Sequence, residues 1–247
     1  ALLNKLKYYP LGLFLIIFLF GALIYNFYRS IKIASQNKLW AGMAKETAHQ
    51  IGTPLSSLIG WVELLKAENV AEPITQEIEK DIERLQTITD RFSKIGSEPK
   101  LENKDLVEET RKTFDYLQTR FSKQVIFSFQ APKEVVLVQF NPTLHSWAIE
   151  NLVKNAIDAM KGKGHLDVVI KQQGNTVKIY VSDTGKGIPK KQFKTIFEPG
   201  FSTKKRGWGL GLSLTKRIVE EYHKGTIKVL RSEIGKGSTM QLIYKIS

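Results

Sequence analysis

Asn151 and Asn155 stand four positions apart in the run Glu150-Asn151-Leu152-Val153-Lys154-Asn155-Ala156-Ile157-Asp158-Ala159. On a helix that spacing sends both amides from one face, while Ile149, Leu152, Val153 and Ala156 can face a core. A neutral amide oxygen suits hard Mg2+, which takes few protein ligands and fills its shell with phosphates and water. The same spacing also suits two surface asparagines on an ordinary amphipathic helix. A second cluster is Val181-Ser182-Asp183-Thr184-Gly185-Lys186-Gly187-Ile188-Pro189, which follows a strand-like run. A carboxylate there can accept a hydrogen bond from an exocyclic amine such as adenine N6. Gly185 and Gly187 let backbone approach a ring or phosphate without a Cβ in the way. A plain glycine turn capped by the aspartate is the alternative.

A third cluster, Phe197-Glu198-Pro199-Gly200-Phe201-Ser202-Thr203-Lys204, leads into Gly207-Trp208-Gly209-Leu210-Gly211-Leu212-Ser213-Leu214. Glycines opening a helix leave N–H groups and the dipole free for phosphate oxygens, beside the charges of Lys204, Lys205 and Arg206. A solvated basic loop would read the same way. No Gly-x-x-x-x-Gly-Lys-Ser/Thr loop is present in the sequence, which argues against a P-loop enzyme. Upstream lies Met43-Ala44-Lys45-Glu46-Thr47-Ala48-His49-Gln50-Ile51-Gly52-Thr53-Pro54-Leu55. A neutral imidazole such as that of His49 keeps one nitrogen able to attack phosphorus, and the cationic product must then lose a proton.

Two kinds of element must carry these groups. From Ile31 to about Lys66 the only strong helix breaker is Pro54, and a second helical pattern begins near Glu72. Ile78, Leu85 and Phe92, with Ile74, Ile88 and Ile95, form a coiled-coil-like seam interrupted by Asp81. Joined near Glu68–Ala71, the two helices make a hairpin. One hairpin cannot bury its stripe, so a four-helix bundle in a homodimer is expected. After a linker at Gly96-Ser97-Glu98-Pro99 the pattern becomes mixed α/β. Helices are predicted at Lys104–Phe121, Pro142–Met160 and Leu210–Tyr222. Strands are predicted at Val125–Phe129, Val135–Val138, Leu166–Gln172, Thr176–Ser182, Thr226–Arg231 and Ser238–Ile246, giving an α/β sandwich with one layer of each.

The N-terminal stretch between Lys7 and Arg29 carries no charge, and tyrosines (Tyr8, Tyr9, Tyr25, Tyr28) mark both its ends. A helix there matches the hydrocarbon thickness of a bilayer, and a transmembrane helix over 8–28 is expected. Arg29, Lys32 and Lys38 favour the C-terminal side as cytoplasmic. Beginning at Ala1, the chain is expected to be a fragment or processed product. The formal charge of +13 is carried by scattered lysines without a recognition-helix or zinc-finger pattern, so a nucleic-acid partner is not expected; proximity to an anionic leaflet is. With no cysteine, disulfides and Cys-ligated zinc are excluded.

In order and spacing, the three C-terminal clusters resemble the N, G1, F and G2 boxes of the histidine kinase branch of the GHKL ATPase superfamily, over about Phe140–Ser247. The resemblance implies a Bergerat/GHKL fold of four or five mixed strands backed by helices, binding ATP and Mg2+ across residues 100–247. It implies Asn155 as metal ligand, Asn151 near metal and phosphates, and Lys154 near phosphate. Asp183 would read the adenine amine, with Gly185 and Gly187 beside the ring. Lys204, Gly209 and Gly211 would meet phosphate, and Thr239 would back the adenine site. The upstream run resembles the family's His-Glu-Leu-Arg-Thr-Pro-Leu box, making residues 29–96 a signalling helix plus dimerisation and phosphotransfer hairpin with His49 as acceptor. It departs from that box at Gln50, where an acid is usual, and at Gly52, where an arginine is usual. Either Glu46, one turn earlier, substitutes as the base, or autophosphorylation is slow. Thr53 matches a position that aligns water for dephosphorylating a regulator; equally it precedes the Pro54 kink. The implied protein is a homodimeric sensor histidine kinase of the inner or plasma membrane, with its kinase core in the cytoplasm. It would pass phosphate from His49 to an aspartate of a response regulator receiver domain. The rival reading is a GHKL ATP-binding scaffold or phosphatase-dominant regulator with weak autokinase activity.

Overall fold

The structure, a computed structural model, describes residues 9–68, 72–95, 99–121, 124–204 and 209–247, without the side chains of 32–49, 72–73, 84, 88 and 91–95. The chain divides into two compact units, residues 1–97 and 98–247.

The first unit is a helical hairpin. Helix α1 runs Tyr9–Ala67 without interruption, so the apolar segment and the histidine box lie on one helix. Pro54 sits inside it and removes one rung of the ladder without ending the helix. Helix α2 runs Glu72–Ile95. The hairpin buries Leu55 and Val62 of α1, a heptad apart, against Ile82 of α2, with Ile78 packed beside them. Within the single hairpin Ile82, next to Asp81, is the inward residue, while Ile74 and Leu85 are 56% and 37% exposed. Ile88, Phe92 and Ile95, the rest of the expected seam, have side chains outside the described residues, as does the linker at 96–98. The stretch Tyr9–Ile31 is apolar and long enough to cross a membrane, with none of it buried in the chain.

The second unit is an α/β sandwich. Its five-stranded sheet has the order β2-β4-β5-β7-β6, from Val125–Gln130, Gly164–Gln173, Thr176–Asp183, Gly237–Lys245 and Thr226–Glu233 respectively. β2 pairs with β4 in parallel and the other pairs are antiparallel. Helices α3 (Leu106–Arg120), α4 (Pro142–Ala159) and α5 (Gly211–Arg217, extended by a π turn, Ile218–Tyr222) supply the other layer. Alternation along the strands puts Leu166, Val168, Ile170, Val177, Ile179 and Val181 into the core with Leu144, Ile149, Leu152 and Ile218 of the helices. Burying each such side chain stabilises the unit by about 1.5–3 kcal/mol.

Two expected elements differ. Glu102–Asp105 is a strand (β1), so Lys104 and Asp105 are strand where helix is predicted, and it pairs with β3 (Leu137–Phe140) in a separate two-stranded sheet. Asp105 is the reason the helix starts late: its carboxylate accepts the N–H of Val107 as N-cap and also that of Val136. The strand expected at Val135–Val138 accordingly lies two residues later, outside the main sheet. Helix α4 opens on Asn141, whose side chain accepts the N–H of Leu144, with Pro142 in the first turn, and ends at Ala159 with Met160 as cap.

Candidate functional site

Helix α4 brings the two asparagines to the start of α5. Asn151 Nδ2 donates to the carbonyl of Gly211 at 3.4 Å, and a Cβ on Gly211 would lie 3.8 Å from polar atoms of both Asn151 and Asn155. The first turn of α5 has no side-chain cap, Leu210 being the N-cap residue. The N–H groups of that turn are thus left without a side-chain acceptor, and such helix starts can receive anionic oxygens.

Lys204 reaches the same place from the loop before α5. Its ammonium donates to Asn155 Oδ1 at 3.2 Å and pairs with the carboxylate of Asp158. An oxygen pair that holds an ammonium is a hard-donor set, and so these residues fit a Mg2+ ion whose remaining ligands are phosphate and water. The Lys204–Asp158 pair is exposed, so it is worth at most about 1 kcal/mol and is easily exchanged. Asp158 was not singled out in the sequence, although it lies one turn beyond Asn155. Lys154 does not join this group; it pairs with Glu150 on its own helix at 2.6 Å. Lys205, Arg206, Gly207 and Trp208 lie outside the described residues.

Asp183 ends β5 and starts the glycine loop. Its Oδ1 accepts the N–H of Gly185 at 2.8 Å, and the backbone N–H of Ser238, its register partner on β7, also stabilises the carboxylate. Burial outweighs both bonds and raises its pKa above the ordinary value. Thr239, expected to back this group, faces the other side of the sheet. Its hydroxyl meets Ser182 Oγ at 3.0 Å and accepts from Arg231 Nε at 3.2 Å. The period of two along a strand makes Ser238, one residue earlier, the neighbour of Asp183.

The loop glycines are explained by protein packing. A Cβ at Gly185 would stand 2.6 Å from the carbonyl carbon of Ala159, and one at Gly187 would stand 2.2 Å from the oxygen of Glu233. Gly187 also has φ +74°. Gly187→Ala is expected to destabilise the protein by about 2–4 kcal/mol, read as a lower urea midpoint, because a left-handed backbone and a backbone clash combine. Gly209 closes the base of the loop against Gly200, whose N–H donates to its carbonyl at 3.1 Å.

On α1 the structure gives the helical backbone at Glu46 and His49, but their side chains lie outside the described residues. Gln50 and Thr53 are exposed on the same helix.

Two family profiles match the chain. Residues 142–246 match the histidine kinase-, DNA gyrase B- and HSP90-like ATPase, and residues 40–98 match the His Kinase A (phospho-acceptor) domain. The sensor histidine kinase ZraS of Escherichia coli K12 is 34% identical over 221 residues, 87% of this chain and 46% of ZraS. The chain thus spans about half the length of that relative. The catalytic domain of the histidine kinase ThkA superposes with a TM-score of 0.54 at 27% identity, covering 59% of this chain and 95% of that domain. A structure of ThkA with the response regulator protein TrrA gives a TM-score of 0.57 at 23% identity, over 90% of this chain and 66% of ThkA, a likeness of fold. An ATPase-type domain implies ATP binding, and with an acceptor-domain match upstream of it in one chain the protein is similar to the sensor histidine kinases.

Proposed function

We propose that the protein transfers the γ-phosphate of ATP to His49 and then to an aspartate of a response regulator receiver domain. The observation that carries this reading is the order of the two matched domains, with His49 inside residues 40–98 and the Asn155–Lys204–Asp183 constellation inside 142–246. In the reaction an imidazole nitrogen forms a bond to phosphorus as the bond to the ADP oxygen breaks, and the ring then releases a proton. Asp183 holds the adenine amine, while Lys204 and the opening turn of α5 hold phosphate oxygens. Positioning and charge neutralisation supply most of the catalysis for such a transfer. Asn155, with Asp158 beside it, would hold Mg2+, which supplies charge neutralisation at the phosphates. Glu46 is positioned in sequence to accept the proton that the family's usual acid would take.

Leu58, Ile59, Trp61, Leu64, Ile74 and Leu85 are exposed on a single hairpin. A second copy covering them gives a homodimeric four-helix bundle. Tyr9–Ile31 anchors the chain in the inner or plasma membrane, the kinase core on the cytoplasmic side. Because helix α1 runs unbroken from that segment through the histidine box, movement of the anchor is felt at His49. The regulator partner follows from the acceptor-domain family, as in ThkA with TrrA.

With radiolabelled ATP, the wild type is expected to take up an acid-labile, base-stable label that His49→Gln loses completely. Gln50 favours a second reading: an amide removes no proton, so a phosphatase-dominant protein would show no label in either form while still dephosphorylating the regulator.

A further inference from the structure

The loop that starts at Asp183 is fastened by backbone and side chains together: Thr184 Oγ1 accepts the N–H of His165 at 3.0 Å, and Lys186 Nζ donates to Thr203 Oγ1 at 3.0 Å. Lys186 N–H donates to the carbonyl of Ala159 at 3.1 Å, and Gly235 N–H donates to the carbonyl of Lys186 at 2.9 Å. One side chain joins them from β6. Ser232 Oγ accepts the N–H of Ile188 at 2.7 Å, donates to the carbonyl of Gly237 at 3.0 Å, and lies 2.9 Å from Ser238 Oγ. A serine hydroxyl has one proton and two acceptor sites. With its proton given to Gly237, Ser232 must accept from Ser238, and all three capacities are filled.

These bonds close a circuit. Asp183 accepts from Gly185 and from the backbone of Ser238. Ser238 meets Ser232, and Ser232 holds Ile188 at the far end of the loop. Both ends of the glycine loop are therefore referred to the turn between β6 and β7, and Ser232 is the point where they meet. Without that hydroxyl, the Ile188 N–H and the Gly237 carbonyl lose their common partner, and the loop can move away from the hairpin with the Asp183 carboxylate at its base.

We propose that Ser232 is a positioning residue for the purine side of the nucleotide site: it touches no nucleotide and sets the distance between the Asp183 carboxylate and the backbone of Gly185–Ile188. The inference rests on the ATP reading above. It separates the two halves of the ligand, because Ser232 belongs to the Asp183 circuit and not to the bonds among Asn151, Asn155, Lys204 and Gly211.

The test is ATP and inorganic tripolyphosphate binding to the 247-residue chain, by calorimetry, for wild type, Ser232→Ala and Ser232→Thr. Ser232→Ala is expected to weaken ATP about tenfold, as for loss of one or two hydrogen bonds. Tripolyphosphate affinity stays at the wild-type value, and Ser232→Thr, which keeps the hydroxyl, restores ATP to within about threefold. In autokinase assays the loss falls on KM and not on kcat. Amide exchange in the wild type, which needs no variant, is expected to show the Ile188 N–H protected before ATP is added. Equal ATP affinity in wild type and Ser232→Ala, equal loss of tripolyphosphate affinity, or a rapidly exchanging Ile188 amide each overturns the inference. A wild type that binds no ATP removes the nucleotide reading and the inference together.

Discussion

Asp183→Asn is expected to weaken ATP binding about 100-fold while leaving the fold at least as stable as the wild type. The carboxylate is the acceptor at the end of β5 suited to an exocyclic amine. A hydrogen bond to a charged group contributes about 1.5–3 kcal/mol, and the asparagine NH2 would turn a donor toward a donor. Stability moves the other way. Burial raises the pKa of Asp183, so the folded state disfavours the ionised form relative to the unfolded chain. A raised carboxyl stabilises the fold below its unfolded pKa, and that contribution is lost as pH rises through the folded pKa. Wherever the carboxyl is ionised, its burial is a cost that asparagine removes, while Asn Oδ1 still accepts the N–H of Gly185. Calorimetry for ATP and a thermal melt on the same sample check both halves; a variant that binds ATP normally contradicts the role of Asp183.

A fall in pH from 7 to 5 is expected to remove about 4 kcal/mol of stability from the second unit, through two histidines that no proposed chemistry uses. His145, on α4, is fully buried against Phe140 and Tyr244. Thr110 gives its hydroxyl proton to the carbonyl of Leu106, so it can only accept from His145 Nε2, 2.9 Å away. His145 Nδ1 is then the acceptor for the Tyr244 hydroxyl at 3.3 Å. His223 Nε2 accepts the backbone N–H of Asn141 at 3.1 Å, and its buried Nδ1 has no partner among the described residues. Both rings are built in as neutral acceptors. Desolvation, and for His145 also the neighbouring His223, pushes their pKa values down to about 3 for His145 and about 4 for His223. The unfolded chain takes up the two protons near pH 6.5 and the folded chain does not. Stability is therefore complete above about 6.5 and declines as pH falls toward 4, at ~1.4 kcal/mol per unit for each ring. Thermal unfolding followed by circular dichroism between pH 7 and 5 measures this; a midpoint that does not move contradicts the neutral pair.

The local part of this protein was legible because local physics carries it. Asn141-Pro142 announces the start of α4 by cap chemistry, and the alternation in 164–183 announces two strands. Asn151, Asn155, Asp183 and the glycines could be picked out because few residue types suit metal, amine and phosphate contacts. Where the reading from sequence failed, a distant partner decided the outcome. Lys104-Asp105 reads as the start of a helix until β3 pairs with it.

The amino-acid sequence by itself determined which chemical groups are present, their order along the chain and the helices and strands that carry them. Only the tertiary structure decided which neighbour each group meets. Register does this for Ser238 and Thr239, since one step along a strand exchanges the faces of the sheet and gives Asp183 to the first and Arg231 to the second. Packing does it for Gly185 and Gly187, whose missing Cβ atoms make room for Ala159 and Glu233. Loop placement does it for Lys204, brought to Asn155 and Asp158, while Lys154 stays on its own helix with Glu150. Such contacts join residues far apart in the chain, and periodicity, which reports only on a residue's own segment, carries no information about them.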